Sequence, residues 1–361
     1  MEFRPIERAA DAFQRSVTPD QIAAMCRRAF GSSVPVASAI ELGNGMYNNT
    51  YRLDIGENRP VILRVAPEPG RQFRIERELM RNEHASVPFL APIAPMIACT
   101  LAADFTQEIC GRDYLFQTLL DGIPAPEAIG SYPREQWTAF YQQLGEITRS
   151  IHAVRGNRFG PLAGPQFETW SEAIVAFYAD LAADLDDAGL DSADVRDVAA
   201  AASKYQTVLD DVTEPRLLHG DLWTVNVMMA SGSPEPTITG VFDNDRTSWG
   251  DPEADWTIFM AGKKPGTERD AFWETYGPRN SAAGAARRSL FYVARHLGAI
   301  RLGAASSGER GRGARDLPAD AGGGRPTPGV TRAMRPYLPS EPSAWHWSRH
   351  LLCAARSSAT N

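Results

Sequence analysis

Lysine is almost missing from this chain: only Lys204, Lys263 and Lys264 occur in 361 residues, so arginine carries nearly all the positive charge. That preference points to a GC-rich coding sequence rather than to a function. Cysteine is equally sparse. Cys26, Cys99, Cys110 and Cys353 are scattered with no C-x-x-C pair, which excludes a zinc-ligand spacing and a disulfide framework and predicts buried thiols in a reducing compartment. No apolar run approaches the about eighteen residues that a membrane span requires. Met1 to Ala10 mixes Glu2, Arg4, Glu7 and Arg8 and lacks the apolar core of a leader, so a cytoplasmic protein with no membrane partner is expected. Excess positive charge is also absent. With 37 Lys and Arg against 44 Asp and Glu, the net charge is -7, and binding to nucleic acid, which wants a basic face, is not expected. An acidic cleft for a cationic small molecule is compatible with that balance.

What the chain does carry is one concentrated chemical signal, His219-Gly220-Asp221-Leu222-Trp223-Thr224-Val225-Asn226, followed by Phe242-Asp243 at the end of an apolar stretch. Transfer of a nucleotide γ-phosphoryl group asks little covalent chemistry of a protein; the site positions a hydroxyl and neutralises charge with Mg²⁺. Asp221 is the candidate to accept or orient the hydroxyl proton. Asn226, five residues on, offers a neutral oxygen to Mg²⁺, and Asp243 offers a carboxylate to the same ion. Alone, the triplet is equally a turn, because glycine reaches unusual backbone angles and aspartate bonds its own neighbours. The offsets to Asn226 and Asp243 favour the phosphoryl-transfer reading.

Around this signal the pattern divides. Residues 19–30 read as an amphipathic helix, and 37–42, 50–55 and 61–65 as short strands separated by Gly43-Asn44-Gly45 and Gly56-Glu57-Asn58, an antiparallel meander. Residues 71–86 read as one helix and 114–120 as a further strand. From Arg134 to Val154 apolar residues recur at three and four, and helices follow at 170–185, 192–212, 270–276 and 282–302, with strands at 226–229 and 237–242. Gly250-Asp251-Pro252 starts another helix, with Asp251 as its cap. The predicted fold is therefore α+β and bilobal: a small β-rich lobe over 1–122 and a mainly helical lobe over 123–303. In 304–361, 38 of 58 residues are Ala, Arg, Gly, Ser or Pro, with no Lys or Ile, which predicts a disordered tail of the kind a shifted reading frame produces.

The sequence resembles the aminoglycoside phosphotransferase family, whose fold is similar to a protein kinase. The resemblance rests on His219-Gly220-Asp221 with Asn226, on Phe242-Asp243, on Trp249-Gly250-Asp251-Pro252 with Asp255, and on Ile151-His152. The stretch Met80-Arg81-Asn82-Glu83-His84 also resembles phosphotransferases that inactivate nucleoside antibiotics such as capuramycin. The resemblance implies ATP or GTP as donor with Mg²⁺, and a small-molecule hydroxyl, on an antibiotic, as acceptor. It puts Gly43, Asn44 and Gly45 in the nucleotide-covering loop. Arg64 stands where a kinase has its phosphate-gripping lysine, with Glu83 as partner and Glu78 or Glu76 as alternatives. Backbone from Gln117 to Leu119 would meet the purine. The same resemblance leaves open a metabolic kinase acting on choline or a methylthiopentose, and a catalytically silent binding module. His219 is expected to brace the loop, Asp255 to pair with an arginine, Asn244 and Asp245 to tune Asp243, and the acidic set Glu253, Asp255 and Glu274 to suit a cationic acceptor.

Overall fold

The computed structural model describes residues 1–9, 12–43, 45–56, 59–255 and 266–305. Its N-terminal part is a six-stranded sheet in the order β1-β2-β3-β4-β6-β5, built from β1 (Glu2–Arg4), β2 (Val36–Leu42), β3 (Asn49–Ile55), β4 (Arg59–Val65), β5 (Thr100–Asp104) and β6 (Tyr114–Thr118). β1 runs parallel to β2, and the other neighbours are antiparallel. The expected meander is present; the edge strands β1 and β5 carry no clear sequence pattern. Tyr51, Leu53 and Ile55 alternate inward along β3 and pack, with Leu63 and Val65 of β4, against Ile22 and Met25 of helix α1 (Pro19–Phe30). Full burial of an aliphatic side chain such as Ile22 contributes roughly 1.5–3 kcal/mol. The Thr18 hydroxyl accepts the Gln21 N–H while the Gln21 side chain accepts the Thr18 N–H, so a capping box fixes where α1 begins.

Only the second half of the expected helix over 71–86 forms. Only α2 (Leu79–Ser86) is α-helical, and Glu78 before it has a φ of 58°. Tertiary contacts explain the break. Asp184 accepts the backbone N–H groups of Arg74 and Ile75 at 2.9 and 3.1 Å, and Phe73 and Ile75 pack on the helical cluster around α5 (Trp170–Asp187). Amides bonded to another element are not free to continue a helix.

Helices α3 (Ala125–Ala128) and α4 (Trp137–His152) follow β7 (Ile123–Pro124). α4 buries Phe140, Leu144, Ile147 and Ile151 along one face, and packs so closely on α8 (Ala271–Tyr276) that a Cβ on Gly145 would lie 2.3 Å from the Phe272 carbonyl. α5, α6 (Ala193–Lys204) and α9 (Ala283–Ala305) share a second core with Trp170, Tyr178 and Tyr292. The expected 192–212 helix is interrupted at Tyr205 and resumes as the short α7 (Gln206–Leu209). After Asp251 the described helix is a single 3-10 turn, Pro252–Ala254. Two three-stranded sheets complete the larger part: β11-β10-β7 and β8-β12-β9, with β8 (Gly160–Pro161), β9 (Arg216–Leu218), β10 (Val227–Met229), β11 (Ile238–Val241) and β12 (Ser248–Gly250).

Of the cysteines, Cys26 is buried, with its thiol pushed up to about 12 by burial, whereas Cys99 is exposed, against the expectation of buried thiols throughout. β5 is an edge strand, and Cys99 lies just before it, where no neighbouring strand covers that side. Among the described residues no helix is long and apolar enough to cross a membrane. The tail expectation lies outside the described residues from 306 onward.

Candidate active site

Three strands bring the motif residues together. β9 delivers His219, Gly220 and Asp221 from its C-terminal end. Asn226 leads into β10 and Asp243 lies two residues past β11; because Val227 pairs with Val241 and the Phe242 N–H donates to the Asn226 carbonyl at 3.1 Å, these two sequence-distant residues stand side by side. Gly220 has a φ of 84°, and a Cβ there would meet the Arg246 carbonyl oxygen at 2.2 Å, so only glycine fits between the two loops.

The Asn226 side-chain amide donates to the Asp221 carbonyl at 2.8 Å and to Asp221 Oδ2 at 3.0 Å. Burial, with the neighbouring Asp243 charge, pushes the Asp221 carboxyl up to about 7 against the pull of Arg246 and the Asn226 hydrogen bond. His219 is fully buried, burial lowers its pKa, and its Nδ1 accepts the Asp221 N–H at 3.3 Å. It braces the loop. Asp255, 1% exposed, accepts the N–H groups of His219 and Gly220 at 2.8 and 2.9 Å, and meets His152 Nε2 at 2.9 Å. A histidine at the end of α4 and two loop amides use this carboxylate. Burial works to raise the Asp255 carboxyl, but His152 and the backbone donors bring it below its ordinary value.

On the sheet side, Arg64 of β4 is buried and donates through Nη1 to Glu83 Oε1 and through Nη2 to Asp243 Oδ1, each at 2.6 Å. Glu76 and Glu78 are not its partners: Glu76 lies 3.4 Å from Arg246. Burial opposes the Arg64 charge, yet the surrounding Glu83, Asp243 and Asp245 carboxylates hold its pKa above the ordinary arginine range. Gln117 sits inside β6 between β4 and β5, and its side chain donates to Glu83 Oε1 at 2.8 Å, so it enters the site through its amide rather than through free edge backbone. Leu119, just beyond that strand, is 39% exposed. Gly43 and Gly45 are exposed in the β2–β3 loop, where Gln14 donates to the Gly45 carbonyl at 3.0 Å; Asn44 lies outside the described residues.

Asn226 Oδ1 and Asp243 Oδ2 accept no hydrogen bond among the described residues, which leaves two hard oxygens for a cation such as Mg²⁺. Among the described residues no three His, Cys, Asp or Glu side chains form a metal cluster, so an ion here would take its other ligands from phosphate and water. Asn244, expected to tune Asp243, instead donates to Ser86 Oγ at 2.6 Å and ties that strip to α2. Asp245 beside it is buried, which holds its carboxyl well above the ordinary range. Arg246 escaped the sequence reading; its charge acts on Asp221 and Asp245, and only the spacing three after Asp243 could have flagged it. Each member of the acidic set has a partner within the protein. Asp255 is consumed by the loop, Glu253 lies 3.7 Å from Arg279, and Glu274 accepts from Gln142 at 3.0 Å.

A sequence profile of the phosphotransferase enzyme family (APH) matches residues 38–291. A search of curated proteins finds no match. Among solved structures, a thermostable mutant of aminoglycoside phosphotransferase APH(4)-Ia in ternary complex with ADP and hygromycin B is 20% identical, with a TM-score of 0.53 over 94% of this chain and 100% of that one. Wild-type aminoglycoside 2'-phosphotransferase-IIIa in its GDP complex is 15% identical, with a TM-score of 0.54 over 93% and 97%. A Thermobifida fusca protein assigned as a fructosamine-3-kinase is 17% identical, with a TM-score of 0.52 over 94% and 99%. At these identities the shared property is the bilobal α+β fold.

Proposed function

Because the chain belongs to the APH phosphotransferase enzyme family, we propose that it moves the γ-phosphoryl group of a Mg²⁺-bound ATP or GTP to a hydroxyl of a small molecule. The observation that carries this reading is the convergence of Asp221, Asn226 and Asp243 beside the Arg64–Glu83 pair. Bound Mg²⁺ would neutralise charge on the transferred phosphoryl group. Asn226 Oδ1 and Asp243 Oδ2 would hold it. Arg64 steadies the donor phosphates with a planar fork that lysine lacks. Gly43, Asn44 and Gly45 cover the nucleotide and Leu119 meets the purine with its backbone. Asp221, in its carboxylate form, accepts or orients the proton of the attacking hydroxyl.

The acceptor we favour is an antibiotic, aminoglycoside-like or nucleoside, with resistance as the consequence. A second reading is a metabolic small-molecule kinase. It is supported by Glu253, Asp255 and Glu274 each having a partner within the protein: Arg279, the loop amides and Gln142. The fold relative assigned as a fructosamine-3-kinase points the same way. Incubation with Mg-ATP or Mg-GTP and a panel of antibiotics, choline and methylthiopentoses, read by mass spectrometry for the gain of one phosphate, separates the two. A protein that phosphorylates none of them and turns over no nucleotide would be a silent binding module.

A further inference from the structure

Asn82, on α2, is 3% exposed, and every hydrogen-bonding position of its side-chain amide is filled. Nδ2 donates to the carbonyls of Asp245 at 2.8 Å and Thr247 at 2.7 Å; Oδ1 accepts the N–H groups of Leu162 at 2.7 Å and Ala163 at 2.8 Å. Two carbonyls at one end and two amides at the other admit a single orientation of the group. One side chain thus ties α2, from the sheet part, to two loops of the helical part.

Both loops border the site. The 245–247 strip begins two residues after Asp243, and the Arg246 carbonyl, between the two that Asn82 holds, is the one that closes on Gly220. Asp243 itself has a φ of 62°, a left-handed conformation that persists only when its surroundings enforce it. The residue after Asn82 is Glu83, which receives Arg64 and Gln117. A shift of the strip by a few tenths of an ångström would therefore move Asp243 against Asn226 and the Arg246 carbonyl against Gly220 together.

We infer that Asn82 is a positioning residue for the proposed phosphoryl-transfer site: it holds the strip that carries Asp243 in the register at which Asp243 and Asn226 share one cation. The inference rests on the function proposed above. Aspartate at this position keeps the shape and the acceptor but loses both donors, and it sets a carboxylate against the Asp245 and Thr247 carbonyls.

The test is calorimetric titration with ATP and with GTP, with and without Mg²⁺, on the full chain of wild type and Asn82→Asp, each shown to be folded by circular dichroism. For the wild type, Mg²⁺ is expected to tighten binding of the preferred nucleotide. In Asn82→Asp that enhancement is expected to shrink by about 10- to 100-fold, the usual range for residues that orient metal ligands, while metal-free nucleotide affinity stays near wild type. A merely structural role would lower the melting temperature and leave the ratio of the two affinities unchanged, and that outcome would overturn the inference. If Asn82→Asp does not fold, Asn82→Ser, which adds no charge, is read by the same ratio. A wild type whose nucleotide binding ignores Mg²⁺ would instead overturn the proposed function.

Discussion

Arg64 and Asp243, 179 residues apart in sequence, meet at 2.6 Å, and the same guanidinium holds Glu83 at 2.6 Å through its other nitrogen. The sheet, α2 and the motif strand are therefore joined by one planar fork. Lysine offers a point charge on a flexible stem and cannot hold both carboxylates in this geometry. Arg64→Ala strands Glu83, 1% exposed, with Gln117 as its remaining donor. Breaking a buried ion pair in this way is expected to cost about 3–5 kcal/mol of stability, measured by chemical denaturation. Arg64→Lys is expected to fold better than Arg64→Ala yet bind nucleotide more weakly than wild type; an unchanged nucleotide affinity would remove Arg64 from the donor site.

Asp243→Ala is expected to weaken Mg²⁺-dependent nucleotide binding and turnover together, and Asn226→Ala to do so less, since a carboxylate holds a hard dication more strongly than an amide. Titrations with and without Mg²⁺ check this. Equal affinities for wild type and the Asp243 variant would exclude Asp243 from the metal site.

The Asp221 carboxyl, pushed up to about 7 by burial, gives a pH signature. Its carboxylate is the working form, so kcat/KM of the free enzyme is expected to fall by about tenfold per pH unit below that value and to level above it. A profile flat from pH 5 to 8 would show that Asp221 does not titrate in the rate-determining step.

Asp255 anchors the loop from below. Asp255→Ala leaves the His219 and Gly220 amides without an acceptor, which is expected to cost about 1–3 kcal/mol each when buried. Thermal unfolding should show the loss, with turnover falling as well. Unchanged stability would mean that other groups hold the loop.

Legibility in the sequence followed the range of the interactions. Asp221 and Asn226 are five residues apart on one loop, between the short apolar runs Leu217-Leu218 and Val227 to Met229, so local pattern suffices. Family spacing favours Glu83 over Glu76 and Glu78, but what decides the choice is the helix breaking at Glu78, and that break follows from Asp184 binding the Arg74 and Ile75 amides from α5. Asp255 was readable as a motif residue but not as the acceptor for His219 and Gly220, a contact that exists only once the 248–250 strand lies against 216–218. Asn82 carries no sequence signal beyond the stretch around it, since all four of its partners are backbone groups of distant loops.

The most direct test of the central claim is γ-phosphoryl transfer itself, followed with labelled Mg-ATP and Mg-GTP on the first acceptor that gains a phosphate, for wild type and Asp221→Asn side by side. The account predicts that label appears on the acceptor hydroxyl in step with nucleotide loss, that Asp221→Asn slows this by about 10²- to 10⁴-fold, and that its nucleotide affinity stays close to wild type. An Asp221→Asn protein that retains more than about a tenth of the wild-type rate would contradict it.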